Sequence, residues 1–188
     1  MSPRVRALVV AVAVPLLATG CGYNRLQELD ESVDRAKAQI ETQLQRRNDL
    51  IPNLVETVRG VAAQETTVFV RIAEERGRLA GAMQSGDLAE MARASDQLSG
   101  ALGRLLAISE NYPDLRSSEN FTQLQDQLEG TENRIAVARQ DYNTAVEQFN
   151  AMIRRFPSNL TAKMFGLGDR REYFRATEGA ETPPAVQF

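Results

Sequence analysis

The sequence predicts an all-α protein, built as an antiparallel up-and-down four-helix bundle of long helices with a left-handed twist and an irregular C-terminal tail. The chain has 188 residues, of which 43% are apolar and 25% charged, as expected for one globular core. Apolar residues recur in steps of three and four between residues 26 and 156, the period of amphipathic helices. The last stripe runs for five heptads, so its partners must also be long helices, crossing at about 20°.

The first 20 residues are typical of a secretory signal peptide. Arg4 and Arg6 precede an apolar run, residues 7–17, and small residues stand before Cys21, in the order that export requires. A Cys at this place resembles the lipobox of bacterial lipoproteins, although Ala18 occupies a position where that motif prefers Leu. We therefore expect cleavage before Cys21 and lipidation of its thiol. The alternative is an uncleaved anchor, although the run is shorter than the roughly 20 residues of a spanning helix.

The charge of the chain bears on what it binds. Cleavage would remove two arginines and no acid, which takes the net charge from −3 to −5. An acidic body is not drawn to an anionic membrane, so we expect the lipid on Cys21 to hold it there. Basic and acidic residues are interspersed along the chain, which disfavours nucleic-acid binding. The predicted location is the cell membrane or the outer membrane, with the bundle on the exported side.

The first two helices are predicted from two apolar stripes. We expect Asn48 or Asp49 to cap the second helix, with Pro52 in its first turn, where the missing N–H has no partner to lose. The first stripe consists of Leu26, Leu29, Val33, Ala36, Ile40 and Leu44. The second consists of Ile51, Leu54, Val58, Val61, Glu65, Val68, Ile72 and Leu79.

The third helix is predicted to follow a turn at Ser85-Gly86. Asp87 and Glu90 have the spacing of a capping box, and the sequence 111–113 (NYP) should end the helix. Its apolar face consists of Leu88, Met91, Leu98, Leu102 and Leu105.

The fourth helix should begin after a Ser117 or Ser118 cap and run from Glu119 to Phe156, where Pro157 stops it. Its seam consists of Phe121, Leu124, Leu128, Thr131, Ile135, Ala138, Tyr142, Ala145, Phe149, Met152 and Phe156. A short helix follows from Ser158 to Phe165-Gly166. The predicted organisation is thus a signal peptide at 1–20, a bundle at 21–175 and a tail at 176–188.

Composition disfavours most kinds of catalysis. The chain has no histidine, and Cys21 is its one cysteine, which excludes imidazole bases, an internal disulfide and thiolate metal clusters. We expect no metal and no cofactor, the sequence identifies no small-molecule substrate, and we interpret the protein as a scaffold or interaction protein. The alternative is an envelope hydrolase with paired carboxylates, drawn from Glu65, Glu129, Glu132 and Asp141. A water-filled cleft around Glu65 or Glu132 would favour it.

One carboxylate is placed in a predicted seam. Glu65 lies in the stripe of the second helix, where it must be paired, protonated or hydrated, because a bare buried charge costs several kcal/mol. We expect it to pair with Arg134 or Arg139. The predicted polar network comprises Glu65, Thr131, Glu132, Arg134, Arg139 and Tyr142.

A second set of polar residues lies opposite the seam of the fourth helix. With Phe121 at heptad position a, position b holds Glu129, Asn143 and Asn150, and position f holds Asn133. This face is either solvated surface or a contact with another protomer or a protein partner, and both interpretations stay open.

Several strings of the sequence resemble the LemA family. They are Tyr23-Asn24, residues 45–60 (QRRNDLIPNLVETVRG), 109–115 (SENYPDL), 119–125 (ENFTQLQ), 130–136 (GTENRIA), 138–143 (ARQDYN), 156–160 (FPSNL) and 184–188 (PAVQF). The resemblance implies a membrane-associated antiparallel helical bundle with no assigned catalytic residues. Lys37 stands where members often have Trp, and Gln64 where they often have His. Many members carry a plain transmembrane anchor, so the lipidation prediction depends on Cys21 itself.

Overall fold

The computed structural model describes the backbone of residues 3–175 and the side chains of residues 22–175, and it confirms the all-α class. The helices are α1 (Pro3–Arg59), α2 (Thr66–Ser85), α3 (Leu88–Ser109), α4 (Pro113–Arg116), α5 (Glu119–Met152) and α6 (Ser158–Met164). None of the helices in this described part has an apolar stretch long enough to cross a membrane. The predicted tail, residues 176–188, and the side chain of Cys21 lie outside the described residues.

The chain divides into two compact units. The terminal unit comprises the residues up to Ala38 together with Gln140–Tyr173. The central unit comprises Gln39–Arg139 together with the residues from Phe174 onward. The central unit therefore contains all of α2, α3 and α4, together with parts of α1 and α5.

The predicted break between the first two helices is wrong, because α1 continues through Asn48 and Pro52 to Arg59. The buried side runs without interruption through Ile40, Leu44, Arg47, Ile51, Leu54 and Val58. Pro52 costs about 3 kcal/mol inside a helix. Burial of Ile51, Leu54 and Val58 gives about 1.5–3 kcal/mol for each side chain, so the continuous helix outweighs the cost of the proline.

The break falls instead in the loop of residues 60–65. Val61, predicted in the seam, is 46% exposed, while its neighbour Ala62 is fully buried. The side-chain amide of Gln64 donates a hydrogen bond to the hydroxyl of Tyr112. The loop is thereby attached to the segment that precedes α4.

The predicted boundaries of the third helix are confirmed. Gly86 ends α2 with a φ of 71°, a left-handed conformation that costs glycine little. The Asp87 carboxylate then accepts hydrogen bonds from the N–H groups of Ala89 and Glu90, at 2.8 and 3.0 Å. This cap fixes the start of α3, and four of the five predicted apolar residues are buried: Met91, Leu98, Leu102 and Leu105.

The fourth long helix, α5, begins as predicted at Glu119 but ends at Met152 rather than Phe156. Ser118 precedes it and accepts the N–H of Phe121 at 3.4 Å. Pro157 disfavours helical backbone at the residue before it, and Phe156 lies outside the helix with 79% of its side chain exposed.

The buried side of α5 shifts along the helix. It consists of Phe121, Leu128, Thr131, Ile135, Ala138, Tyr142, Ala145, Val146, Phe149 and Asn150. A straight helix drifts by about 20° per heptad from a strict heptad repeat. Over four heptads the drift is about 80°, and successive residues of a helix are about 100° apart. The buried positions therefore move by about one residue along the sequence between the start and the end of α5. Val146 and Asn150 therefore turn inward near the end of α5, contrary to a strict heptad assignment.

Candidate functional site

Two clusters of paired charges are the candidate functional features of the described structure. The Arg47 cluster, in the central unit, consists of Arg47, Ser95, Asp96, Ser99, Glu132 and Arg139. The Arg171 cluster, in the terminal unit, consists of Asp30, Asp34, Tyr142, Asn150 and Arg171.

Arg47 joins three helices of the central unit. It lies on the buried side of α1, its side chain only 5% exposed. Its Nη2 donates to the Ser99 hydroxyl on α3 at 2.9 Å, and its Nη1 lies 3.0 Å from Glu132 Oε2 on α5. The guanidinium is thus held at the meeting point of α1, α3 and α5.

Arg139 extends the same cluster. Its Nη2 donates to the Ser95 hydroxyl at 3.0 Å, and its Nη1 lies 3.7 Å from Asp96 Oδ1. Phe174 covers the guanidinium, with the ring centroid 4.7 Å away, a distance at which a cation–π attraction operates.

Burial determines the acid-base behaviour of the Arg47 cluster. Removal from water lowers the pKa of Arg47, the charge of Glu132 raises it, and the nearby Arg139 lowers it again. An arginine keeps its proton even so. The cluster therefore holds fixed positive charges beside carboxylates, an arrangement that joins helices.

The predicted pairing of Glu65 is wrong. Glu65 lies in the turn before α2, half-buried, rather than in a seam. Arg139 instead binds Asp96 and Ser95, and Arg134 is exposed. Thr131 is buried, and its hydroxyl donates to the Gln127 carbonyl of its own helix at 2.7 Å. Glu132 and Arg139 lie in the Arg47 cluster, where Glu132 pairs with Arg47 of α1 and Arg139 with Asp96 of α3.

The buried carboxylate of α2 is Glu75. It is completely buried on the same side as Ile72 and Leu79. Arg71 Nη2 lies 2.7 Å from its Oε1, and Arg78 Nη1 lies 3.5 Å from it. The requirement that a seam carboxylate be paired thus holds, but for a residue ten positions beyond Glu65.

The Arg171 cluster joins the C-terminal segment to two helices. Arg171 Nη2 donates to Asp30 Oδ1 on α1 at 2.7 Å, and Nε donates to the same oxygen at 3.2 Å. The Asn150 amide on α5 accepts the Arg171 N–H and donates to the Arg171 carbonyl, both at 2.9 Å. The hydrogen bond with Asp30 raises the pKa of Arg171.

Tyr142 belongs to the Arg171 cluster and not to the predicted network of the central unit. Its hydroxyl donates to the Glu172 carbonyl at 2.9 Å. Burial raises the pKa of this hydroxyl, the positive charge of Arg171 lowers it, and the carboxylates of Asp34 and Glu172 raise it.

The predicted partner face is divided by the structure. Glu129 and Asn133 are exposed, whereas Asn143 is half-buried. Asn150 is buried, 6% exposed, and bonded to the backbone of Arg171, so its assignment to a solvated or partner-binding face is wrong. The inward drift of α5 is the physical reason.

Sequence reasoning missed Arg47, although a signal for it exists. Residues 40, 44, 47, 51, 54 and 58 follow steps of three and four, so one continuous helix would have placed Arg47 in the seam. Asp30 and Arg171 carried no comparable signal. They are 141 positions apart, and their segments meet only through the tertiary fold.

The described residues also contain a cavity of about 170 Å³, lined by Thr67, Val68, Arg71, Ala101 and Arg104. It lies between α2 and α3, and its lining has no carboxylate. Within the described part of the chain, no group of three or more Asp, Glu or Cys residues has the arrangement of a metal site.

Comparison with known proteins gives one family match and several relatives. The model of the LemA family matches residues 36–188. The chain is 29% identical over 198 residues to magnetosome protein MamQ 2 of Paramagnetospirillum magneticum, covering 93% of this chain and 71% of that protein.

Two further relatives extend the comparison. Magnetosome protein MamQ of Magnetospirillum gryphiswaldense is 26% identical over 184 residues, covering 86% of this chain and 67% of the relative. Protein LemA of Metamycoplasma hominis is 23% identical over 145 residues, covering 77% of this chain and 65% of the relative.

Proposed function

We infer, since this chain belongs to the LemA family, that it is a non-enzymatic scaffold or interaction protein of the bacterial cell envelope. In this proposal the chain is exported, held at the cell membrane or the outer membrane by lipid on Cys21, and binds other proteins on the exported side. The names of the reported relatives, magnetosome protein and protein LemA, are not those of enzymes.

The observation that supports the proposal is that the buried charged side chains Arg47 and Glu75 are bound to other side chains. Arg47 connects α1, α3 and α5, and Glu75 is held between two arginines. A buried charge bound across helices, as Arg47 is, fixes their register, a role that suits a rigid binding surface. Glu132, which a hydrolase would need free for acid-base chemistry, is the ion-pair partner of Arg47.

The proposal includes an antiparallel four-helix bundle in the central unit. Arg59 lies over the ring of Phe69, 5.1 Å from its centroid, while Arg76 donates to Asn48 at 3.2 Å. The later residue of α1, Arg59, meets the earlier residue of α2, Phe69, and the earlier residue of α1, Asn48, meets the later residue of α2, Arg76. This order is expected for antiparallel neighbours. The short loops before α2 and α3 favour the same alternation.

The first experiment measures the intact mass of the full chain extracted from bacterial membranes, in parallel with Cys21→Ala. A mass equal to residues 21–188 plus acyl chains, absent from the variant, is the expected result. An unmodified full-length mass would overturn lipid anchoring and restore the uncleaved anchor. Proteins that co-purify with the wild-type extract would then identify partner candidates.

Self-association forms a second part of the proposal, and it involves the exposed residues Glu129 and Asn133. Changing the charges there with Glu129→Lys and Asn133→Asp together should abolish a dimer if this face carries it. Analytical ultracentrifugation in detergent measures the result, and Asn120→Asp, at an exposed position earlier on α5, serves as the control. An unchanged sedimentation profile would exclude this face.

A further inference from the structure

The segment around α6 exposes an unusual amount of apolar surface. Of the eight large apolar side chains that are exposed in the described residues, five lie between positions 156 and 173. They are Phe156 (79% exposed), Met164 (70%), Leu160 (59%), Phe165 (50%) and Tyr173 (42%). A contiguous exposed apolar patch commonly marks an interaction surface.

The orientation of α6 is the reverse of that of an ordinary surface helix. Its buried residues are the small or polar Ser158, Thr161 and Ala162, while Leu160 and Met164 point outward. These two are four positions apart and therefore lie on one side of the helix. Burying Leu and Met would have stabilised the fold more than burying Ser and Thr, so folding alone does not account for this choice.

The charge of the segment complements an anionic surface. Residues 154–170 contain four basic side chains, of Arg154, Arg155, Lys163 and Arg170, and one acidic side chain, of Asp169. The whole chain, in contrast, has a net charge of −3. Arg154, Arg155 and Lys163 are exposed beside the apolar side chains, the combination by which interfacial helices bind anionic lipids.

The segment also lies beside the proposed point of membrane attachment. The ring of Phe165 packs against that of Tyr23, with 4.4 Å between the centroids. Tyr23 is the second residue after Cys21. A lipid on Cys21 would bring this corner of the terminal unit to the membrane surface.

We propose that Phe156, Leu160 and Met164, with the cations of Arg154, Arg155 and Lys163 around them, form a second membrane contact that inserts into an anionic phospholipid surface. We call these six residues the α6 membrane face. The inference rests on the proposed function, because the anchor at Cys21 supplies the nearby membrane. Its consequence is that the terminal unit lies against the bilayer in one orientation instead of turning freely about its lipid.

The chain has no tryptophan, so a single introduced one reports its own surroundings. The full chain is purified from bacterial membranes as Leu160→Trp and reconstituted into phosphatidylglycerol vesicles whose acyl chains are brominated. The matched control is Val137→Trp, at an α5 position that is similarly exposed, 58%. Both substitutions replace exposed side chains and leave the core unchanged.

Brominated lipid should quench the emission of the Leu160→Trp protein by about twofold or more, because an interfacial side chain reaches the upper acyl chains, and should leave that of the Val137→Trp protein nearly unchanged. Adding Arg155→Glu and Lys163→Glu to Leu160→Trp should remove most of the quenching, because each cation contributes to binding an anionic surface. Vesicles of phosphatidylcholine alone should show weaker quenching than phosphatidylglycerol.

Flotation of the vesicles separates this inference from the proposed function. A protein that does not float with the vesicles would overturn membrane attachment itself. A protein that floats, but whose Leu160→Trp emission is insensitive to brominated lipid, would overturn only the α6 membrane face. A blue-shifted but unquenched emission would show that protein covers this face, and equal quenching at position 137 would show that the contact is not specific to α6; either result contradicts the inference.

Discussion

The guanidinium of Arg171 lies 2.7 Å from the carboxylate of Asp30, and the two residues are 141 positions apart in the sequence. Asp34, one turn along α1, lies 3.6 Å from the same Nη2. The C-terminal segment is thereby held against α1 through one side chain. Asn150 forms two hydrogen bonds with the backbone of Arg171, so both the side chain and the backbone of this residue are held.

Asp30→Asn and Arg171→Gln should each destabilise the terminal unit by about 1 kcal/mol, because the pair is charge-assisted but partly exposed. The loss in the free energy of unfolding of the double variant should be smaller than the sum of the losses of the two single variants. Urea unfolding of the detergent-solubilised full chain measures all three. The exposed Arg25–Glu28 pair is the matched control, with an expected coupling below about 0.5 kcal/mol. Additive losses at Asp30 and Arg171 would contradict the pairing.

Asn150→Ala should cost about 2 kcal/mol, because it removes two hydrogen bonds and leaves the backbone of Arg171 without partners. Asn133→Ala, on the exposed side of α5, should change the free energy of unfolding by no more than about 0.5 kcal/mol. Thermal or urea unfolding of the two variants provides the comparison. Equal effects would mean that Asn150 is not held as the structure shows.

Glu132→Ala should destabilise the central unit by about 2 kcal/mol, because it leaves the buried Arg47 without its carboxylate. Adding Arg47→Met should recover part of this loss, since an apolar side chain of similar length needs no counter-charge. Glu129→Ala, an exposed glutamate one turn earlier, serves as the control. If adding Arg47→Met lowered the stability of the Glu132→Ala variant further, the unpaired charge of Arg47 would not be the reason for the destabilisation.

Alkaline pH should weaken the terminal unit through Tyr142. Burial raises the pKa of its hydroxyl in the folded state, so above about pH 10 the unfolded chain releases this proton first. The contribution of Tyr142 to the free energy of unfolding is therefore fully present below that pH. It falls as the pH rises toward the pKa of this hydroxyl in the folded protein. The stability advantage of the wild type over Tyr142→Phe should shrink over this interval, as measured by urea unfolding. An advantage that stays constant with pH would contradict the prediction.

Local signals of the sequence predicted several features correctly. The Asp87 cap, the Gly86 turn and the start of α5 after Ser118 depend on residues close to each other in the chain. Periodicity alone predicted the large buried residues of α3, namely Met91, Leu98, Leu102 and Leu105. These features required no knowledge of which helices are neighbours.

Other features depended on tertiary packing. Pro52 gave a strong local signal for a helix start, and it was overridden by the burial of one continuous α1 side. That single error displaced the loop and led to Glu65, rather than Glu75, as the buried carboxylate. The error at Asn150 arose from extending a strict heptad along the whole of α5, although an α-helix drifts from that repeat.

The division of the chain has a consequence for the order of folding. Residues 39–139 of the central unit are contiguous, so this part can form before the C-terminal segment is available. The terminal unit needs residues near both ends of the chain, and closing so long a loop is slow. We expect pulsed hydrogen exchange during refolding to show protection of α2 and α3 before the neighbourhood of Asp30. A chain that is made from its N-terminus would therefore complete its terminal unit last, once Arg171 is available.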